Sequence, residues 1–256
     1  MKRNTTLKLA IVFSFIILSV NLNAQIWQWV PMGNPICGSS DSTYLGIHTL
    51  SDDGETIAAT TWYRYGDSVN FVQVYQYDNG NWVEKGQPIF GNQVMDEFGR
   101  IISLADNGNI IAIGAPRDSS NGNSSGLVEV YYFNNNSWSQ LGQTIYGTLQ
   151  TGCGESVNLN KTGSLLAIGY TVTGDTEQVR IFEFESNLWI QKGQTINKKT
   201  DHEAFGYTLD MSETGDTIAI SAMWNSDSTY GNGCIRTYYF NGSNWEEYQK
   251  IVPSDR

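Results

Sequence analysis

A fourfold internal repeat constrains the fold of this chain more than any other feature of its sequence. Two patterns recur together: a glycine followed by a short apolar run, and then an alternating segment that ends in an aromatic residue. The apolar runs occupy residues 54–60, 108–114, 163–169 and 215–221, and the alternating segments occupy residues 72–77, 128–133, 179–184 and 235–240. A tryptophan follows each alternating segment, and these are Trp82, Trp138, Trp189 and Trp245. A period of roughly 50 residues is typical of solenoids and propellers.

Each repeat contains four predicted strands and no long stretch of helical periodicity. The second strand is a nearly continuous apolar run, such as residues 110–113, which indicates burial on both faces. The third strand alternates apolar and polar residues, as a strand packed on one side does. Residues 53–54 and 107–108 are Asp-Gly and Asn-Gly, which favour hairpin turns. We therefore predict an all-β fold, a β-propeller of four-stranded antiparallel blades that bury their faces against one another.

The repeats place the predicted blades at residues 37–90, 91–146, 147–197 and 198–252. One further segment, residues 25–36, carries the fourth-strand pattern of Trp29, Gly33 and Ile36 before the first blade. Because the last repeat has its own fourth strand at Trp245, this segment is left over and is predicted to be the outer strand of a preceding blade. We expect four full blades and one extra N-terminal strand, arranged as an incomplete arc of a larger ring. A closed four-bladed ring is the alternative.

The N-terminus has the pattern of a signal peptide. The chain begins Met1-Lys2-Arg3, and an apolar run over residues 9–20 follows. This run is shorter than the ~20 residues that a membrane-spanning helix needs. The small residues before Gln25 predict cleavage after Ala24, so that residues 1–24 are removed and residues 25–256 form the propeller. We expect a secreted or cell-surface protein without membrane insertion after cleavage.

Two short motifs in the second blade carry a resemblance to a known family. Phe-Gly at the start of its first strand, followed by Gly-Ala-Pro at the end of its second, resembles the FG-GAP repeat of integrin-α-like β-propellers, with Phe-Gly found again in the fourth blade. The motif residues, which we expect to be structural, are Phe98, Gly99, Gly114, Ala115, Pro116, Phe205 and Gly206. The resemblance covers essentially all of residues 25–256. It implies a ring of seven blades, with ligands bound on one face.

No metal or cofactor is expected. Members of the resembled family hold calcium in an Asp-rich loop between the two motifs, and calcium requires six to eight oxygen ligands. The corresponding segments here, residues 51–54, 105–108, 160–163 and 212–215, are shorter and carry few acids, so we predict plain hairpin turns. Three cysteines and two histidines are too few for a zinc site of the usual type. We expect the cysteines to be small buried residues, with a disulfide as the alternative.

The charge balance excludes one class of partner. The chain has 26 Asp and Glu against 15 Lys and Arg, which gives a formal net charge of −11. Such a charge repels nucleic-acid phosphates, and no basic stripe offsets it. We therefore expect no nucleic-acid partner.

The connections from fourth to first strand and from second to third strand are predicted to share one face of the propeller. Exposed aromatic and charged residues on loops that a rigid scaffold holds are a reasonable binding surface. The candidate ligand-binding residues are Trp62, Tyr65, Arg117, Asp118, Trp224 and Tyr230. We predict a non-enzymatic binding or adhesion module, whose partner is an extracellular protein or a glycan.

Two other functions stay open. One is a propeller-scaffold enzyme that acts on glycans, and the other is a structural spacer within a larger secreted protein. Glycoside hydrolysis needs two carboxylates directed at one bond. Neither His48 nor His202 accompanies a Gly-x-Ser-x-Gly motif, so serine hydrolase chemistry is poorly supported. We predict no catalytic residues.

Overall fold

The computed structural model describes residues 30–38, 43–63, 68–171, 177–200, 203–224 and 233–252. The molecule divides into two units, residues 1–31 and residues 32–256. Across the described ranges the regular structure consists of β-strands joined by turns, without helix. The predicted signal peptide and Trp29 lie outside these ranges.

Four antiparallel sheets follow one another along the chain, and we number the blades in this order. Blade 1 contains β1 (Thr43–Leu50), β2 (Thr56–Tyr63), β3 (Phe71–Asp78), β4 (Asn81–Glu84) and β5 (Ile89–Phe90). Blade 2 contains β6 (Ile101–Leu104), β7 (Ile110–Ala115), β8 (Leu127–Asn134), β9 (Ser137–Gln140) and β10 (Ile145–Tyr146). Blade 3 contains β11 (Cys153–Leu159), β12 (Leu165–Tyr170), β13 (Gln178–Glu185), β14 (Leu188–Gln191) and β15 (Ile196–Asn197). Blade 4 contains β16 (Phe205–Met211), β17 (Thr217–Ala222), β18 (Cys234–Phe240) and β19 (Trp245–Ile251).

The first three strands of each blade pair in sequence order, and the fourth position differs between blades. In blades 1–3 two short strands pair one after the other along the third strand, whereas in blade 4 the single strand β19 pairs along β18. The first strands of neighbouring blades approach one another. They therefore form the inner edge of the assembly. The prediction of an all-β fold built from four-stranded antiparallel blades is confirmed.

The hydrophobic core lies between the blades. Each of three buried clusters combines the side chains of one blade with those of the next. Between blades 2 and 3, for example, Val128 and Val130 belong to the same cluster as Leu166 and Ile168, and all four are almost fully buried. Complete burial of an aliphatic side chain stabilises the fold by about 1.5–3 kcal/mol. The second strands of blades 2 and 3 are apolar and buried on both faces because each of these blades contacts a neighbour on each side.

The repeated tryptophans join the blades by hydrogen bonds as well. Trp138 donates from its indole Nε1 to the carbonyl of Lys85 in blade 1, at 2.7 Å. The Gln87 side chain forms two further bonds to Trp138, donating to its carbonyl and accepting from its backbone N–H. The same three bonds recur at the next two junctions, where Trp189 bonds to Leu141 and Gln143, and Trp245 bonds to Lys192 and Gln194.

The extra N-terminal segment occupies the matching position beside blade 1. The indole of Trp82 donates to the carbonyl of Met32 at 2.8 Å, and Gly33 has the positive φ of its counterpart Gly86. Residues 30–36 nevertheless form no strand, which differs from the prediction. A strand requires a neighbouring backbone to pair with, and none of the described residues supplies one beside this segment.

The blades form an open arc. Ile235 and Ile251 on blade 4 are 44% and 48% exposed, whereas their counterparts in blade 3, Val179 and Ile196, are 0% and 5% exposed. The outer face of blade 4 therefore has no blade against it among the described residues. The alternative of a closed four-bladed ring is wrong, because a closed ring would bury these two side chains.

The motif residues serve the contacts between blades. Phe98 and Phe205 are buried, and the hydroxyl of Thr60 in blade 1 donates to the carbonyl of Gly99 in blade 2. A Cβ on Gly114 would lie 2.2 Å from the carbonyl oxygen of Gly154 in blade 3. Only glycine therefore allows this approach.

Cys37 and Cys153 are free thiols. Cys153 and Cys234 are buried, as predicted, whereas Cys37 is exposed. Burial raises the pKa of the Cys153 thiol to about 12, which keeps it protonated and unreactive at neutral pH.

Candidate binding site

Each blade has a glycine within its first strand or just before it, and the residue that follows this glycine lies at the inner edge, where the blades meet. These residues are Ile47 in blade 1, Arg100 in blade 2, Glu155 in blade 3 and Tyr207 in blade 4. The ladders between first and second strands shift register at this point in blades 1, 3 and 4. An irregularity of this kind re-aims a side chain and is common beside functional sites.

Four charged side chains and one tyrosine come together here, and we call them the inner cluster: Glu97, Arg100, Arg117, Glu155 and Tyr207. The Arg100 guanidinium lies 3.3 Å from a carboxylate oxygen of Glu97 and 3.4 Å from one of Glu155. The other carboxylate oxygen of Glu97 lies 3.1 Å from the guanidinium of Arg117. Tyr207 is close enough to Arg100 to affect its pKa. The inner cluster therefore spans blades 2, 3 and 4.

The two central groups of the inner cluster are partly withdrawn from water. The side chains of Glu155 and Arg100 are 15% and 34% exposed. Burial raises the pKa of Glu155, although the positive charge of Arg100 opposes this shift. Burial lowers the pKa of Arg100, but the nearby Glu155 and Glu97 raise it by more. The guanidinium therefore stays charged, and the carboxyl of Glu155 holds its proton to a higher pH than an exposed glutamate does.

Glu97 has a backbone conformation that its side chain does not favour. Its φ is +56°, and the matching positions in blades 3 and 4 are Gly152 at +55° and Ala204 at +48°. A non-glycine residue with such a φ costs about 1–2 kcal/mol. The loop is held in place by Asp96, whose buried carboxylate accepts hydrogen bonds from the backbone N–H groups of Gln93 and Phe98. The loop therefore holds Glu97 in a strained conformation, as the matching loop of blade 4 holds Ala204.

Of the six predicted ligand-binding residues, two are exposed at matching positions of blades 2 and 4, two lie outside the described residues, and two differ from the prediction. Arg117 joins the inner cluster, and its side chain is 66% exposed. Trp224 is 63% exposed and takes the matching position in blade 4, because its N–H donates to Glu203 as that of Arg117 donates to Asp96. Tyr65 and Tyr230 lie outside the described residues.

Asp118 and Trp62 differ from the prediction. Asp118 is fully buried, and its carboxylate accepts hydrogen bonds from the backbone N–H and the hydroxyl of Ser120. It therefore holds its own loop in shape instead of facing a ligand. Trp62 is half-buried against Tyr44, with ring centroids 5.9 Å apart. Its indole N–H is buried without a hydrogen-bond partner in the described part of the chain.

Sequence reasoning missed Arg100, Glu155 and Tyr207 as site residues. A signal was present: this position changes from isoleucine to arginine, glutamate and tyrosine between repeats, while the residues around it keep their pattern. The predicted site residues lie in or beside the loops expected from the sequence, whereas Arg100, Glu155 and Tyr207 lie near the beginnings of the first strands.

Within the described ranges, no group of three or more His, Cys, Asp or Glu side chains is placed to hold a metal ion. Nor does this part of the chain contain a helix long and apolar enough to cross a membrane.

No protein-family model and no curated protein matches the sequence. Solved structures do match. The periplasmic gluconolactonase of Pseudomonas aeruginosa is 14% identical with a TM-score of 0.55, and the match covers 86% of this chain and 60% of that one. The β-propeller domain of the Trilobed protease from Pyrococcus furiosus, described as having an open velcro topology, is 13% identical with a TM-score of 0.50, over 83% of this chain and 58% of that one. The chain has the β-propeller fold.

A further propeller-like match extends the same picture. A putative 6-phosphogluconolactonase from Bacteroides uniformis is 16% identical with a TM-score of 0.54, over 86% of this chain and 59% of that one. This chain thus spans less than two thirds of each of these structures. At such low identity the likeness is one of fold.

Proposed function

We propose that this propeller is a non-enzymatic binding module that recognises a neutral glycan at the inner cluster, outside the cytoplasm. The observation that carries the proposal is the position of Arg100, whose guanidinium joins carboxylates from two blades at the inner edge. A small number of convergent polar groups on a rigid scaffold is typical of a ligand site. The signal-peptide pattern of residues 1–24 supports the location.

The charge of the inner cluster favours an uncharged ligand. Two carboxylates, Glu97 and Glu155, balance two guanidinium groups, Arg100 and Arg117, so the site offers donors and acceptors without net charge. The protein as a whole carries a formal charge of −11, which opposes the approach of acidic ligands. Sugar hydroxyls, which donate and accept hydrogen bonds, fit such a set of groups.

Exposed aromatic rings belong to the same face. Tyr207 is 40% exposed within the inner cluster, and Trp224 follows the second strand of the same blade. Aromatic rings pack against the C–H faces of pyranose rings and supply apolar contact area at low conformational cost. The combination of rings with balanced charges supports a glycan more than a purely ionic ligand.

Glycan-array binding of the purified protein tests this function. Arg100→Gln and Glu155→Gln should each lower the binding signal about tenfold or more, because each leaves a partner without its hydrogen bonds. Lys161→Ala is the matched control, since Lys161 also joins acids of two neighbouring blades but at the opposite ends of the strands. Equal binding by all three variants and the unmodified protein would exclude the inner cluster as the site.

A specific observation also favours an enzyme as the second candidate. Burial raises the pKa of Glu155, and a carboxyl group with a raised pKa can serve as a general acid or base. Two of the similar structures are described as lactonases. Hydrolysis of glucono-1,5-lactone, monitored with a pH-stat, tests this candidate. Activity that Glu155→Gln removes would support it, whereas a rate equal to the spontaneous one would exclude it for this substrate.

A further inference from the structure

The junctions between blades contain a repeated site for an ammonium group. Between blades 1 and 2, the Nζ of Lys85 donates to the carbonyl of Gly108 at 2.9 Å and lies 5.2 Å from the centroid of the Phe133 ring. Lys85 is only 7% exposed. Its charge is therefore held by a backbone dipole and an aromatic face. Burial lowers the pKa of Lys85, and the nearby Asp53 opposes this shift only in part.

The junction between blades 3 and 4 repeats this arrangement. Lys192 takes the position of Lys85, and its Nζ lies 5.1 Å from the centroid of the Phe240 ring. The Glu183 carboxylate lies 2.7 Å from the same Nζ. In both junctions an ammonium group thus lies over the ring, with a carboxylate in contact or nearby.

The junction between blades 2 and 3 has the ring but no lysine. Leu141 takes the position of Lys85, and Phe184 takes that of Phe133. A cavity of about 300 Å³ opens at this place, lined by Leu141, Phe184 and Gly163 among others. Gly163 is the counterpart of Gly108, whose carbonyl holds the Lys85 ammonium. The cavity therefore lies where the other two junctions hold a positive charge.

This cavity is lined by aromatic and other uncharged residues, which favours a quaternary over a primary ammonium group. Tyr132 and Phe133 add two further aromatic residues beside Phe184, and Asn107 stands where blade 1 has Asp53. A primary ammonium is strongly hydrated and relies on a carboxylate to replace its water. A quaternary ammonium is weakly hydrated and is held by aromatic faces alone.

We propose that the cavity between blades 2 and 3 binds a quaternary ammonium group, as found in choline and its derivatives. The site is separate from the inner cluster, because it lies at the turn between the first and second strands, at the opposite ends of the blades. The ligand would replace the lysine ammonium that the sister junctions supply from the chain itself.

A titration of the full, isotope-labelled protein with choline chloride, followed by amide NMR shifts, tests this. The amides of Gly163 and Phe184 should shift saturably, and the uncharged isostere 3,3-dimethylbutan-1-ol should bind about tenfold more weakly, since it lacks the cation–π term. Equal binding of the two compounds would overturn the proposal and leave an apolar groove. The absence of saturable shifts at these amides would also overturn it.

Two variants exchange the residues that blades 1 and 2 have at this position. Each variant recreates, at one junction, the residue that the protein already has at another. Leu141→Lys should fill the cavity with its own ammonium and lower choline affinity about tenfold or more. Lys85→Leu should open a second site, seen as new choline-dependent shifts at Gly108. Unchanged affinity in Leu141→Lys, or no new shifts in Lys85→Leu, would contradict the equivalence of the junctions on which the proposal rests.

Discussion

At the scale of single residues, the inner cluster combines groups that no one repeat contains. Arg100 is an arginine of blade 2 whose partners come from its own loop and from blade 3. Its ion pairs are partly exposed, so each stabilises the fold by only about 0–1 kcal/mol. The cost of holding Glu97 at positive φ is of similar size or larger. The net contribution of these residues to stability is therefore small, which supports the binding role that we propose for them.

The raised pKa of Glu155 predicts a pH dependence of stability. Its pKa is above the usual 4.5 in the folded protein, because burial disfavours the charged form. The folded state therefore binds this proton more tightly than the unfolded chain does. The resulting contribution to stability is present at low pH and is lost as the pH rises from 4.5 through the raised folded value.

Glu155→Gln removes this titration. The free energy of unfolding of the variant, relative to the unmodified protein, should therefore increase as the pH rises from ~4 to ~7, measured by urea denaturation at each pH. A difference that stays constant over this range would show that Glu155 is not buried as described.

Sequence reasoning reached only part of this site. Arg117 was found because it follows a recognisable motif in an exposed loop. Asp118, its neighbour, looked equally suitable, but its burial depends on how the loop folds back to Ser120. Arg100 and Glu155 come together only when blades pack side by side, and no spacing within one repeat encodes a contact between two repeats.

At the scale of elements, the fourth-strand pattern of the sequence corresponds to two short strands in blades 1–3 and to a single strand in blade 4. Sequence reasoning treated Trp-x-x-x-Gly-x-x-Ile as one continuous strand. In blades 1–3 the strand breaks at the glycine, and two short strands pair with the third strand instead. Blade 4 has Gln249 where blade 3 has Gly193, and there the strand runs unbroken. The glycine in this pattern therefore marks a break in the strand. The reason for the break is the contact of this glycine with aromatic side chains of the next blade.

The break at Gly86 predicts a strong effect of adding one methyl group. Gly86 has a φ of +75°, and a Cβ there would lie 2.9 Å from both Phe133 and Trp138 of blade 2. Gly80→Ala is a matched control, because Gly80 has a φ of +88° with nothing within 4 Å of its Cβ. Gly80→Ala should cost about 1–2 kcal/mol from backbone strain alone.

Gly86→Ala should cost about 1–3 kcal/mol more than the control, because crowding in a packed contact is added to the strain. Urea denaturation of both variants measures the difference. Equal losses of stability would show that the tryptophan does not pack against this glycine.

At the scale of the whole molecule, the repeat predicted the four blades, and the leftover segment at residues 25–36 predicted the open arc. Tryptophans in register identified the four blades because each blade needs the same contact with its neighbour. The spacing of the tryptophans does not show whether another blade packs against blade 4. Ile251 keeps the apolar character of an interior position although it is 48% exposed, so composition alone cannot distinguish an edge from a seam.

The open arc can be tested with two identical substitutions at equivalent positions. Ile196 pairs with Val179 in blade 3, and Ile251 pairs with Ile235 in blade 4, so the two isoleucines have the same place in their blades. They differ in surroundings, since Ile196 is 5% exposed beneath blade 4 and Ile251 is 48% exposed. Ile196→Ala should cost about 2–4 kcal/mol, as truncations within a packed core do.

Ile251→Ala should cost less than about 1 kcal/mol, because much of its side chain already contacts water. Denaturation of both variants at a protein concentration low enough to keep the chain monomeric gives the comparison. A cost for Ile251→Ala that matched the cost for Ile196→Ala would mean that another surface covers blade 4, and that the arc is closed in solution. An open propeller requires a small loss of stability for Ile251→Ala, at the exposed face of blade 4, and a large loss for Ile196→Ala, between blades 3 and 4.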